Sequence, residues 1–445
     1  MATTYYPAAG TGSKNWSDGT AWSTSQGGAA GSTAPTASDD VIIEGKNGTH
    51  VYDIVVDSAT ACLAKTLTVQ NVASSTNDPT LTFTAGKKAI ISGSITIGTS
   101  YAGLSGTGEL VCHAAGALTT NGVTIPCALT YNATGTYTIV GVTTVTGIVY
   151  ITTTAVINWT TNITTDYFNL SGGLWLYGNT GTTGTSFAKM NFVGACTIAG
   201  GGYTIYNPIN FNYAGNITLA SDITCNGTVT WTLATNLNCT STIFNFYCGK
   251  ANSPVMNADL GTDTTNANAI IALVATGALT SNAHTIYNQL NFGGGGITLT
   301  ISGAAIVQGL VSITQTCTIN YTTAEATDTI TCNGGLYCSS TPGSGSAKFV
   351  IGNTGTVSSD TTVHYFQNDI DLNASGKTIT FGANFAFKTK TLKWIAGTIN
   401  ITTNNSILTI DNTATITNST FSAHWGGLLT LSAGGTSNDV FGVIM

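Results

Sequence analysis

At 445 residues, with 42% hydrophobic but only 7% charged side chains, the chain has a core to bury and little charge to keep it dissolved. That task falls to its Thr, Asn, Ser and Gly. A net charge of −7, with all 12 basic residues Lys and no Arg, argues against nucleic-acid binding, which rests on phosphate neutralisation, and against any bidentate guanidinium clamp. No run approaches 18 apolar residues, so no membrane insertion is expected.

Residues 1–38 are rich in Gly, Ser, Thr and Ala and carry two Trp segments, Asn15-Trp16-Ser17-Asp18-Gly19 and Trp22-Ser23. They read as an irregular arm whose indoles cap the first coil, because the end of a stacked β-structure is an exposed sheet edge. The opening MATTYYPAAG has neither a basic region nor an apolar run, so no Sec signal peptide is expected. A strand pattern begins at Asp39-Asp40-Val41-Ile42-Ile43. It continues through Ile54-Val55-Val56, Ala61-Cys62-Leu63, Leu67-Thr68-Val69 and Leu81-Thr82-Phe83, so residues 39–121 read as lead-in coils.

The stretch NWSDGTAWSTSQGGAAGSTAPTASDDVIIE, followed by VVDSATACLAKTLTVQN and TLTF, resembles the opening of large β-rich proteins encoded by tailed bacteriophages and prophages. Later runs such as GALTTNGVTI, TIYNPINF and GTVTWT are similar to their Thr/Gly/Asn-rich bodies, more loosely. Related opening motifs also begin bacterial adhesins and autotransporter-like β-helices. The resemblance implies a virion-associated fibre or appendage protein, made in the host cytoplasm and contacting other virion proteins. It supplies no catalytic motif.

From residue 122 the chain repeats itself. Four copies, 122–202, 203–283, 284–363 and 364–445, align Leu129, Ile209, Leu290 and Ile370 at steps of 80, 81 and 80. Each copy ends its run in Asn-x-Thr, at Asn158, Asn238, Asn320 and Asn400. Within a copy apolar residues alternate with Thr and Asn, as in Val229 and Trp231 or Leu237 and Cys239, the pattern of half-buried strands. The expected fold is all-β: a parallel β-helix (β-solenoid) of four ~80-residue repeats, each of roughly four coils of about 20 residues. A string of β-sandwich domains is the alternative. Residues 249–269 in copy two and 339–346 in copy three read as insertions looping away from the stack, where solenoids often carry binding surface.

Candidate chemistry is sparse. The best carboxylate pair is Asp369 and Asp371, which flank inward Ile370 and would stand about 7 Å apart on an outer face, a spacing compatible with an inverting glycosidase. A solvated strand edge or turn at the start of copy four is the preferred explanation of the pair. Only three Glu exist, Glu44, Glu109 and Glu325, and Asp259 and Asp263 lack the order of a calcium loop. The five His, at 50, 113, 284, 364 and 424, have no nucleophile or zinc-type context. The ten Cys have neither CxxC spacing nor His partners in zinc order, so they read as reduced core residues with no metal or cofactor. Thr-x-Thr runs invite an ice-binding reading, but Leu310 and Ser312 interrupt the array in copy three.

The expectation is therefore a non-enzymatic structural and adhesive fibre or appendage protein of a tailed phage, presenting a Thr/Asn-rich surface. A bacterial surface adhesin or a tailspike-type glycan hydrolase is the alternative. Expected partners are other virion proteins, a host-surface glycan, and the chain itself as a homo-oligomer, a trimer first, joined through the apolar tail Val440–Met445 or a flank of the stack.

Overall fold

The computed structural model describes residues 2–10, 12–45, 53–71, 79–98, 103–160, 165–182, 188–240, 242–250, 254–341, 343 and 345–360, then 364–366, 368–381, 385–387, 391–401, 407–410, 413–416, 423–425 and 428–431. These residues form a parallel β-solenoid. Among them there is no α-helix, only a 3-10 turn at Gly19–Ala21. One strand pair, Thr4–Pro7 with Trp22–Ser23, runs antiparallel. Sandwich domains would have been built from antiparallel hairpins.

Two compact units are present: Met1–Tyr213 with Ile217–Gly227, and Ala214–Asn216 with Thr228–Met445. In the first, each coil visits three sheets in turn. One sheet stacks Asp40–Gly45, Thr66–Asn71, Ile95–Ile97, Gly116–Thr119, Gly135–Val140 and Ala155–Trp159 in parallel. The register brings Val41, Leu67, Ile95, Leu118 and Ile139 into one inward column, all buried. A second sheet lines up Leu110, Leu129, Val149, Leu174 and Ile198 in the same way. Burying each such side chain contributes roughly 1.5–3 kcal/mol, so the alternation read from the sequence is what drives coil onto coil. The second unit follows the same rule: Val229 and Trp231 are fully buried about outward Thr230, and Leu237 and Cys239 are buried about Asn238.

The N-terminal arm is more regular than expected. Ser13–Asn15 pairs in parallel with Asp53–Val56, and Thr4–Pro7 with Asp40–Gly45, so the arm itself supplies the first coil. Its indoles close the end. Trp16 and Trp22 are fully buried, 5.2 Å apart in a T-shaped contact, and Trp22 Nε1 donates to the Trp16 carbonyl at 2.8 Å. Polar alternation is weak here because the ordering comes from these rings and from Asp57, which accepts from the Ser17 amide at 3.0 Å.

The repeat is out of phase with the coil. Among its described residues copy three runs ten strands, from Thr285–Ile286 to Gly355–Ser359, plus one side without a regular strand, at 339–341, 343 and 345–347. That side lies on Thr318–Tyr321, with Gly343 N donating to Cys317 O at 2.7 Å and Ala347 N to Ile319 O at 3.0 Å. Eleven sides on a three-sided coil make three and two-thirds turns, not four, so a copy of 80–82 residues has coils of about 22 residues. Equivalent strands of successive copies consequently occupy different sheets. In the first unit Ala128–Tyr131 stacks on Glu109–Cys112, whereas its counterpart Ile209–Phe211 stacks on Lys189–Phe192 in another sheet.

The segments read as insertions have counterparts in copies one, two and three. The described residues 179–182 and 188, 257–269, and 339–341, 343 and 345–347 lie on the strandless side. The copy-two segment does not leave the stack: Leu260 N donates to Thr285 O, Tyr287 N to Leu260 O, and Thr262 N to Asn236 Oδ1 at 2.7 Å. Each segment ends on a buried alanine, Ala188, Ala269 or Ala347. Each is fastened by a buried asparagine of the next copy, Asn207, Asn288 or Asn368. A glycine marks the corner one coil further on: a Cβ at Gly227 or Gly309 would collide with the carbonyl oxygen of Asn207 or Asn288.

Candidate functional site

The carboxylates singled out from the sequence are mostly committed to structure. Asp369 and Asp371 do flank buried Ile370 on the strand Asp369–Phe381, opposite Lys348 and Val350. Lys348 Nζ reaches Asp371 Oδ2 at 3.6 Å and Glu325 Oε1 at 2.9 Å. Burial lowers the Lys348 pKa, but the hydrogen bond to Glu325 and the Asp371 charge outweigh it and hold the ammonium protonated. Lys348 therefore links Asp371 to Glu325, which no sequence pattern placed there, and its cation occupies one carboxylate of the expected acid–base couple.

Glu44 accepts from Gln70 Nε2 at 3.1 Å, and Glu109 lies between Thr130 Oγ1 at 2.6 Å and Lys88 Nζ at 3.4 Å. Asp259 and Asp263 do not converge. Asp259 accepts from the Thr285 amide at 2.9 Å and contacts His284 Nδ1 at 3.2 Å. Asp263 accepts from Asn266, side chain and backbone, and from the Thr265 amide, which hold its pKa below the ordinary value. Among the described residues no three His, Cys, Asp or Glu cluster so as to hold a metal. His50 and His424 lie outside the described residues or side chains, as does the side chain of His364.

All ten Cys are free thiols, and all but Cys196 are buried. Burial pushes Cys62 and Cys317 up to about 11 and Cys112, Cys127, Cys196 and Cys225 up to about 12. A thiol so placed stays protonated and is a poor nucleophile or ligand.

What the fold does present is its outward side. In the first unit half-buried Thr144 and Asn169 stand in register with buried Asn191 on successive coils, with Asn169 Nδ2 3.4 Å from Thr144 Oγ1 and Asn191 Nδ2 3.2 Å from Asn169 Oδ1. In the second, Ser312 and Thr314 hydroxyls both donate to Asn291 Oδ1, at 3.1 and 3.0 Å. These are ladders of neutral donors and acceptors. One outward patch departs from that chemistry. Tyr150 and Trp175 are register partners on adjacent coils of the first unit, and Tyr177, 51% exposed, follows on the strand side of Trp175. Sequence reading passed over these three residues. The signal was available, since their copy counterparts are Thr230, Val255 and Asn257 in copy two and Ser312, Tyr337 and Ser339 in copy three.

No family model, curated protein or solved structure matches this chain.

Proposed function

We propose that the protein is a structural and adhesive fibre or appendage protein of a tailed-phage virion, and that it acts by contact without catalysis. The observation that carries the reading is the outward surface: half-buried Thr, Ser and Asn side chains bonded across successive coils, on a stack whose strands turn alternate apolar residues inward. Side chains fixed in this way lose little further freedom on binding, which favours attachment through many weak polar contacts. The opening motif, with its resemblance to phage-encoded β-rich proteins, adds the virion to the adhesive reading. In it the chain assembles with itself, as a trimer, and with other virion proteins, and touches a host-surface glycan.

Two measurements test this reading. Particles purified from an induced lysate of the source culture should contain the chain by mass spectrometry, and the fluorescently labelled protein should adsorb to cells that those particles infect. Absence from purified particles would remove the virion role, and absence of adsorption would remove the adhesive one. Incubation with cell-surface polysaccharide should release no new reducing ends. Their release, abolished by D371N, would instead establish a glycan hydrolase.

A further inference from the structure

We propose that Tyr150, Trp175 and Tyr177 form a platform that binds an uncharged oligosaccharide chain; this deepens the adhesive reading and rests on it. Tyr150 and Trp175 face outward between inward neighbours on adjacent coils, with ring centroids 6.2 Å apart and planes at 67°. Tyr177 lies two residues beyond Trp175, on the same outward side. Burial and the neighbouring Tyr177 both push the Tyr150 pKa up, in keeping with rings gathered into one patch. The coil itself does not require Tyr150 and Tyr177, whose counterparts are small or polar, Thr230 and Asn257 or Ser312 and Ser339, and at Trp175 it accepts Val255 or Tyr337.

The patch has the chemistry of a sugar site. Among the described residues neither tyrosine hydroxyl nor the Trp175 indole N–H makes a hydrogen bond, so three donors stand beside the apolar rings. In the next outward file Asn132 and Thr152 are exposed, placed by Asn132 N to Cys112 O at 3.1 Å and Thr152 N to Tyr131 O at 2.9 Å. A pyranose offers a C–H face to a ring and a rim of hydroxyls to such groups. Charge complementarity selects a neutral chain: on this sheet Lys88 and Glu109 compensate each other at 3.4 Å. Size points the same way. Three aromatic side chains bury at most about 250 Å² each, short of the ~800 Å² per partner of a stable protein interface, so a second copy of the chain is not the occupant.

Affinity electrophoresis of the full chain tests the proposal, in native gels cast with dextran, mannan or galactan and with hyaluronate as the anionic comparison. The chain should be retarded by at least one neutral polymer and not by hyaluronate. Trp175→Val and Tyr177→Asn, which install the residues copy two carries at Val255 and Asn257, should weaken retardation by roughly tenfold, the equivalent of about 1.4 kcal/mol. Tyr337→Thr, at the copy-three position, should leave it unchanged, and circular dichroism should show all variants folded. Retardation by no neutral polymer, or equal retardation of the Trp175 and Tyr177 variants, overturns the platform. A sedimentation change confined to those two variants overturns it in favour of a self-contact. If the chain adheres to cells and both substitutions leave that adhesion intact, the platform is wrong while the adhesive reading stands. If the parent protein adheres to nothing, the adhesive reading itself fails.

Discussion

The side-chain amide of Asn288 donates to the carbonyl of Leu237, 51 residues earlier, at 3.0 Å, and its second hydrogen reaches the carbonyl of Ala269 at 2.8 Å. Asn207 does the same to Ile157 and Ala188, and Asn368 to Ile319 and Ala347. In each case one amide ties a regular strand to the strandless segment lying on it, where backbone pairing alone would leave a coil side loosely held. The Oδ1 of all three is buried without a hydrogen bond, so the contribution comes from the two N–H donors. In copy one the equivalent residue is Cys127, which cannot donate in this way.

Asn288→Ala should therefore destabilise the second unit by about 1–3 kcal/mol, the cost of leaving buried carbonyls unpaired. Urea denaturation measures it. Hydrogen exchange should accelerate first at the amides of Leu260 and Ala269, which hold the same segment. An unchanged midpoint with unchanged exchange would show that the segment needs no such tie.

Acid should loosen both units. Burial raises the pKa of Asp328, but the amides of Thr323, Gly303 and Ala324 outweigh it and hold the carboxyl below its ordinary 3.8. Burial likewise opposes, and hydrogen bonds from Thr36 and Thr3 or from Ser17 overcome, at Asp39 and Asp57. A folded-state pKa lower than the unfolded one gives stability that is full above about pH 3.8 and is lost as pH falls through the folded value. Stability measured from pH 6 downwards, by about one pH unit at a time, should fall only below pH ~4, and less steeply in Asp328→Asn. A slope in Asp328→Asn equal to that of the parent would remove the role given to this carboxylate.

The thiols provide an independent probe of the core. Native protein treated with iodoacetamide at about pH 8 should alkylate slowly, because pKa values pushed to about 11 and 12 leave little thiolate. Cys196, the half-buried one, should react first, and all ten should react after denaturation. Rapid native labelling at Cys225 or Cys112 would contradict the inward packing.

Much of the fold was legible because period-two alternation and a fixed sequence period carry it directly. Val229 with Trp231 and Leu237 with Cys239 point inward as their spacing requires. The phase of the repeat was not legible. A step of 80 residues suggests four coils of 20, and only the strandless side reveals three and two-thirds. That side is short of apolar alternation because Asn288 and its counterparts hold it by side-chain bonds that no local pattern announces. The same rotation takes the copy-two and copy-three segments to different sheets, so they make no single binding face. At the candidate sites, Asp369 and Asp371 were placed correctly beside Ile370, whereas Lys348 and Glu325 came to them from other coils. The tail Val440–Met445 lies outside the described residues.

The parallel stacking on which the whole account depends is tested most directly by one distance. Asn291, Ser312, Tyr337 and Ser358 stand in register on four successive coils of one sheet, all facing outward. Spin labels at Asn291→Cys and Ser358→Cys, with half-buried Cys196 replaced by Ala and the other native thiols protected by burial, should report a narrow double electron–electron resonance peak. Three inter-strand steps set the backbone separation at about 14 Å, to which the label linkers add a few ångströms. A peak at twice that separation or more, or a broad distribution, would contradict the solenoid.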